Sequence, residues 1–308
     1  MNQKKIFLLG PTASGKTNLT KSCYDTFPIE IISVDSAQIY KGLNIGTAKP
    51  SEQDLKSYPH HLINIINPDQ SYSVAEFQRD SDRLCRQIWS KGKVPFFSGG
   101  TMMYFNALEN PLDLIPPSTA ESRAHMDQRL EEEGLESLYQ ALKTIDPDSC
   151  MKIKSTDTQR ILRALEVYHL SNKPLSVFHS NHQKYNDKDV LKIGLFPQDR
   201  HLLHERIEMR VDQIISDGLL DEVKALKDSY NISKASNSMR SVGYRQALMY
   251  LDGQISDKDL RDQIIFATRQ LAKRQLTWMR KMENLNAFDP FDAKFEGNVK
   301  QLIMDYLG

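Results

Sequence analysis

The chain reads as an α/β protein: a P-loop, doubly wound parallel sheet with helices on both faces, plus a mostly helical insertion domain. Three observations predict this. Short apolar runs alternate with helix signals through the first hundred residues, the rhythm that successive βαβ units impose. A glycine-rich loop, GPTASGKT (10–17), joins the first of those runs to the first helix. The rhythm then stops at a proline-rich stretch, NPLDLIPPST (110–119), and strand character resumes only at Val190.

Taken in order, Lys4–Leu9 is expected as a buried strand, followed by the loop and a helix through Phe27. Ile29–Val34 is a second strand and Leu62–Ile66 a third. Ser73 and Glu76 have the spacing of a capping box, each side chain satisfying a backbone donor of the other, and open a helix reaching Gly92. Val94–Ser98 is the next strand and ends in Gly99-Gly100-Thr101. Residues 114–189 are helical and strongly charged, with Glu131-Glu132-Glu133 and QRILRALEVYHL, and close on the polar segment SNHQKYNDKD. Val190–Phe196 returns to the sheet, and the remainder is mostly helix. The expected organisation is a core of residues 1–113 and 190–308 with an insertion of 114–189.

Composition bounds the function. Forty basic residues balance forty acidic ones, so any attraction to nucleic acid must come from local segregation of charge. Cys23, Cys85 and Cys150 lie far apart without a CxxC, which suits a reducing cytoplasm and argues against a disulfide framework or zinc site. The apolar stretch of MNQKKIFLLGP is too short for a signal peptide and runs straight into the glycine loop. No apolar run approaches membrane-spanning length. The pairs His60-His61, His179/His182 and His201/His204 lack a third ligand at a suggestive position and read as structural.

Gly10, Gly15, Lys16 and Thr17 fit G-x-x-x-x-G-K-[ST]. In that motif glycines let backbone amides face phosphate oxygens, the lysine neutralises charge, and the hydroxyl, here of Thr17, can ligate Mg²⁺. Yet the Val94–Ser98 strand ends in Ser-Gly-Gly-Thr, with no acid to hold metal and water as in common nucleotide hydrolases. Asn172-Lys173-Pro174-Leu175 lacks the aspartate of a guanine-reading motif. The acid that does follow a strand is Asp35, which should lie beside the loop, because open parallel sheets bind ligands at the carboxyl ends of their strands. It either deprotonates a bound acceptor or caps a turn.

These segments carry a resemblance. GPTASGKT, DSAQIYKGLNIGTAKP and GGTMMYFNAL, followed by TDTQRILRALEVY, RIEMRVDQII, SMRSVGYRQAL and ATRQLAKRQLTWMR, together resemble the tRNA dimethylallyltransferases, or tRNA isopentenyltransferases, over nearly the whole chain. The resemblance implies transfer of a dimethylallyl group from dimethylallyl diphosphate to N6 of the adenosine 3′ of the anticodon, in tRNAs reading codons that begin with U. The loop would then hold the donor's diphosphate on Gly10, Thr12, Ala13, Ser14, Gly15, Lys16 and Thr17, with Mg²⁺ on Thr17, and no nucleotide would be consumed. Asp35 would take the proton from the acceptor amine, and Thr101 would contact the target adenosine or cap its helix. Arg206 and Arg210 share a helix face, and alignment with the family motif favours Arg210 at the diphosphate.

For tRNA the resemblance implies contacts from Asp35, Ser36, Ala37 and Gln38, from Thr101 and Arg123, and from Gln159, Arg160 and Arg163. It adds Arg240, Gly243, Tyr244 and Arg245, and Lys273, Arg274, Trp278 and Arg280 on the C-terminal helix. No acid interrupts residues 269–281. Such a run taken alone is a solvated helix face, and Trp278 taken alone reads as core. A monomer in the cytoplasm, with no obligate protein partner and no membrane, is the expectation. Two departures stand out: Lys154-Ser155-Thr156-Asp157 replaces the His-Pro-Asn-Asp turn of many members, and Met102 stands where glycine is frequent. The other readings are a P-loop metabolite kinase, which would make ADP, and an RNA-binding module, which would leave no covalent product.

Overall fold

Apolar runs such as IFLL (6–9) suit strands covered on both faces, and these four residues are buried together with Lys5 before them. The structure, a computed structural model, describes residues 3–110, 115–180 and 189–308. Its sheet holds β1 (Lys5–Leu9), β2 (Ile29–Val34), β3 (His60–His61), β4 (Val94–Gly99), β5 (Val190–Leu195) and β6 (Leu285–Phe288). All neighbours are parallel, in the order β3-β2-β4-β1-β5-β6.

The pleat sends alternate residues to opposite faces. Ile6 and Leu8 meet Leu19 and Cys23 of α1 (Lys16–Thr26) and Val299 and Ile303 of a terminal helix, Phe295–Leu307. On the other face Phe7 lies 5.3 Å from Phe97 and 5.4 Å from Phe105. There α3 (Val74–Ser90) and α4 (Met102–Glu109) stack Phe77 on Tyr104 at 4.1 Å, and the short α2 (Glu52–Ser57) precedes them in the chain. The capping box of Ser73 and Glu76 forms at the start of α3.

The chain packs as two compact units, residues 1–106 with 186–308, and residues 107–185. The smaller contains α5 (Ala120–Ile145, broken at Gly134), α6 (Pro147–Cys150), α7 (Thr158–Ser171) and α8 (Leu175–Ser180). Met126, Leu138, Leu142, Ile161 and Leu165 form its own core. Asp157 caps α7, accepting from the Arg160 amide. The expected border at 113/114, His182 and residues 181–188 of the polar segment lie outside the described residues. In the larger unit α9 (Arg200–Ser216), α10 (Leu219–Ser229), α11 (Tyr244–Leu251) and α12 (Asp257–Met279) enclose a second core with Ile39, Tyr40 and Leu43, and α13 is the terminal helix.

Two strand expectations are corrected. The third strand pairs only at His60–His61, with an isolated bridge from Ile66 to Tyr40. Leu62 and Asn64 adopt φ of 62° and 57°, left-handed values that interrupt an extended run. β6, a four-residue edge strand, was hidden in what read as helical sequence. Among the described residues no helix is long and apolar enough to cross a membrane.

Candidate functional site

Three strand ends build one wall. β1 runs into the glycine loop, where Gly15 at φ 85° turns the backbone so that α1 begins at Lys16. β4 ends at Gly99, where a Cβ would fall 2.1 Å from the Val34 carbonyl oxygen, so only glycine lets the strands close here. The amides of Gly100 and Thr101 both donate to that oxygen at 3.1 Å, pinning the Thr101 turn beside the end of β2. Asp35 follows directly. Its Oδ1 accepts from the amides of Ala37 at 2.8 Å and Gln38 at 3.2 Å, so both turn amides share one carboxylate oxygen. Thr101 Oγ1 accepts from the Ser36 amide at 3.0 Å and donates to Ser36 Oγ at 3.3 Å. Asp35 therefore caps its turn and Thr101 braces it, while both also line the same cavity of about 710 Å³.

That cavity lies within the larger unit and is lined by loop residues Thr12 to Thr17. Gly10 is behind the wall, and its carbonyl and that of Pro11 accept from Lys16 Nζ at 2.8 and 2.7 Å. Shielding from water, then the nearby Arg210 guanidinium, pull the Lys16 ammonium down to about 7, against a smaller upward pull from Asp35. Ser14 Oγ is buried and has no hydrogen-bond partner. A buried hydroxyl without a partner is costly, and an anion on the loop would supply one. The Thr17 side chain is exposed on the same wall. Lysine, loop and hydroxyls thus fit a phosphorylated ligand, and Thr17 fits a hard cation such as Mg²⁺.

The facing wall comes from α9 and α12. Arg210 donates to the Thr47 carbonyl at 3.1 Å. Its neighbour Arg206 stacks over Phe291 at 4.5 Å, with one guanidinium nitrogen 4.0 Å from where a Gly15 Cβ would stand. Both arginines line the cavity. Val211, Ile214, Ile264 and Leu271 give it an apolar side. Two anchors escaped the sequence reading. Gln275 accepts from the Thr12 amide at 3.0 Å and donates to the Gly100 carbonyl at 2.8 Å. Glu222 accepts from the amides of Asn44, Ile45 and Gly46 at 3.0, 2.8 and 3.3 Å, and from the Tyr244 hydroxyl at 2.5 Å.

The family model described as IPP transferase matches residues 38–282, most of the chain. The chain belongs to the IPP transferase family. A tRNA dimethylallyltransferase of Legionella pneumophila (strain Lens) is 44% identical over 307 residues, covering 100% of this chain and 98% of the relative. One from Vesicomyosocius okutanii is 46% identical over 280 residues, 91% of this chain and 92% of the relative. Among solved structures, the full-length tRNA isopentenylpyrophosphate transferase of Bacillus halodurans aligns with TM-score 0.72 at 34% identity, covering 99% of this chain and 97% of its own. A eukaryotic dimethylallyltransferase, captured acting on tRNA, aligns with TM-score 0.83 at 27% identity, covering 98% and 77%.

In this member of the IPP transferase family the expected RNA-facing residues scatter. Asp35, Ser36, Ala37, Gln38, Thr101, Arg240, Gly243, Arg274 and Trp278 line the cavity. Trp278 is 45% exposed, so its reading as core is corrected: the turn of α12 that carries it has its buried side at Gln275 and Met279. Tyr244 is corrected the other way. It is fully buried with its hydroxyl on Glu222, leaving no ring surface for RNA. Arg245, Lys273 and Arg280 are exposed outside the cavity lining. In the smaller unit Arg123 and Gln159 are exposed, and Arg160 pairs with Asp157 at 3.0 Å. Arg163 is committed internally, to Glu166 at 2.5 Å and the Pro116 carbonyl at 2.6 Å. Among the described residues no group of three or more His, Cys, Asp or Glu could hold a metal ion.

Proposed function

We propose that the chain transfers a dimethylallyl group from dimethylallyl diphosphate to N6 of the adenosine 3′-adjacent to the anticodon, in tRNAs reading codons that begin with U. The supporting observation is the shared cavity. One wall is a phosphate loop with an unpartnered buried hydroxyl, and beside it stands a carboxylate at a strand end. Kinship with proteins named tRNA dimethylallyltransferase supports tRNA as the acceptor and a dimethylallyl compound as the donor.

The donor's diphosphate lies along Thr12–Thr17, drawing Lys16 off the carbonyls of Gly10 and Pro11. Arg210 and Arg206, on the opposite wall, add positive charge. As the carbon–oxygen bond of the donor breaks, its electron pair leaves on the diphosphate, and these cations meet the growing charge. Thr17 would hold Mg²⁺, which neutralises part of the leaving group's charge when bound. The adenine amine attacks the allylic carbon, forming the new carbon–nitrogen bond. Its lone pair is delocalised into the ring, so loss of its proton to Asp35 accompanies attack. The base must leave the stacked anticodon loop to reach this acid. Ser36, Gln38, Thr101, Arg240 and Trp278, which line the cavity, would receive it, and the exposed Lys273, Arg274 and Arg280 would hold phosphates. The cytoplasm is the compartment of this activity.

Purified protein with Mg²⁺, dimethylallyl diphosphate and unmodified tRNA should yield N6-dimethylallyladenosine on nucleoside mass spectrometry, with no ATP added. No product, together with ATP-dependent phosphorylation of a small acceptor, would assign the loop to a kinase.

A further inference from the structure

We infer that Gln275 is a positioning residue, setting the spacing between the donor's phosphate loop and the turn that carries Thr101. It rests on the transfer reaction proposed above. A glutamine side chain offers one acceptor and one donor at the end of a long arm. Here both are used across the sheet ends: Oε1 takes the Thr12 amide at 3.0 Å and Nε2 gives to the Gly100 carbonyl at 2.8 Å. Gln275 is 8% exposed, and its arm leaves the C-terminal end of α12 between the buried Ala272 and Met279.

What it joins matters. Thr12 follows Pro11 and Gly10, the carbonyls on which Lys16 rests. Gly100 precedes Thr101, and both amides are pinned to Val34, the residue before Asp35. One amide group therefore spans the loop for the leaving group and the turn beside the base. The fit is close: a Cβ on Gly100 would stand 2.4 Å from Nε2, so the glycine gives the amide its place. In a displacement between two bound molecules, rate depends steeply on the separation of the reacting atoms, and a shift of about 1 Å costs up to about 100-fold. Loss of the strut leaves each substrate its own binding groups and disturbs only their spacing.

Gln275→Met keeps the volume and removes both hydrogen bonds, and Gln275→Glu keeps only the acceptor for Thr12. Single-turnover transfer should fall roughly 10- to 100-fold in both variants, with KM for dimethylallyl diphosphate and for tRNA within about threefold. Amide exchange at Thr12 should quicken in Gln275→Met and stay slow in Gln275→Glu. A rise in tRNA KM at unchanged rate would make Gln275 an RNA contact instead. A lowered urea midpoint with wild-type rate per folded molecule would make it only a packing residue. Either result overturns the inference. Should the wild-type protein itself make no N6 product, the reaction is misassigned, and the Thr12 exchange data still decide whether the strut exists.

Discussion

At the scale of single residues, Asp35 and Lys16 carry the sharpest expectations. Asp35→Asn retains an oxygen for the Ala37 amide but has no basic carboxylate, so turnover should fall by about 100-fold or more. tRNA affinity, measured by filter binding, should stay within a few-fold, and a variant that turns over normally would remove Asp35 as the base. Lys16 predicts a pH effect. Its folded value of about 7 lies below the 10.5 of a free lysine, so between those values the unfolded chain binds more protons. The burial penalty is full below about 7 and is relieved as pH rises toward 10.5. A bound diphosphate reverses this preference by favouring the charged amine. Titrating dimethylallyl diphosphate at pH 8 in buffers of different ionisation enthalpy should reveal uptake approaching one proton. Lys16→Met should abolish that difference, whereas wild-type heats independent of buffer would contradict the shift.

At the scale of elements, α12 presents two different sets of side chains on different sides. Gln275 reaches inward, while Lys273, Arg274 and Arg280 remain exposed. If those cations meet phosphates, replacing each by alanine should lower the slope of log affinity against log salt by roughly one for every phosphate left without its cation. An unchanged slope in the triple variant would return the run to a solvated helix face. α10 gives a stability test. Glu222→Gln puts an amide nitrogen against a group of backbone donors, costing about 1–3 kcal/mol by urea unfolding. The same elements explain what the sequence could disclose. The loop, Asp35 and Thr101 were readable because glycines and strand ends force local geometry that a short motif encodes. Gln275 was not: its partners lie 263 and 175 positions away, and a glutamine amid lysine and arginine looks like solvated surface. Glu222, in LLDEVK, looked equally exposed. Tyr244 misled through its arginine neighbours, since burial is decided by what packs on α11 and not by the adjacent letters.

At the scale of the whole molecule, the division into two units has an energetic consequence. Each unit has its own apolar packing, the larger around Ile6, Leu8 and Ile193 and around Ile39 and Leu219, the smaller around Leu138, Leu142 and Ile161. Separate cores permit separate unfolding, so a single two-state description should fail for this chain. All residues of the phosphate loop belong to the larger unit. A ligand stabilises whatever must unfold to release it, by about 2.7 kcal/mol when present at 100 times its Kd. Saturating dimethylallyl diphosphate with Mg²⁺ should therefore raise one calorimetric transition and leave the other in place. Hydrogen exchange assigns them: protection should deepen in β1, β4 and α1, while α5 and α7 exchange as before. One transition that shifts as a unit, with slower exchange in α5 as well, would mean that the smaller unit unfolds only together with the donor site.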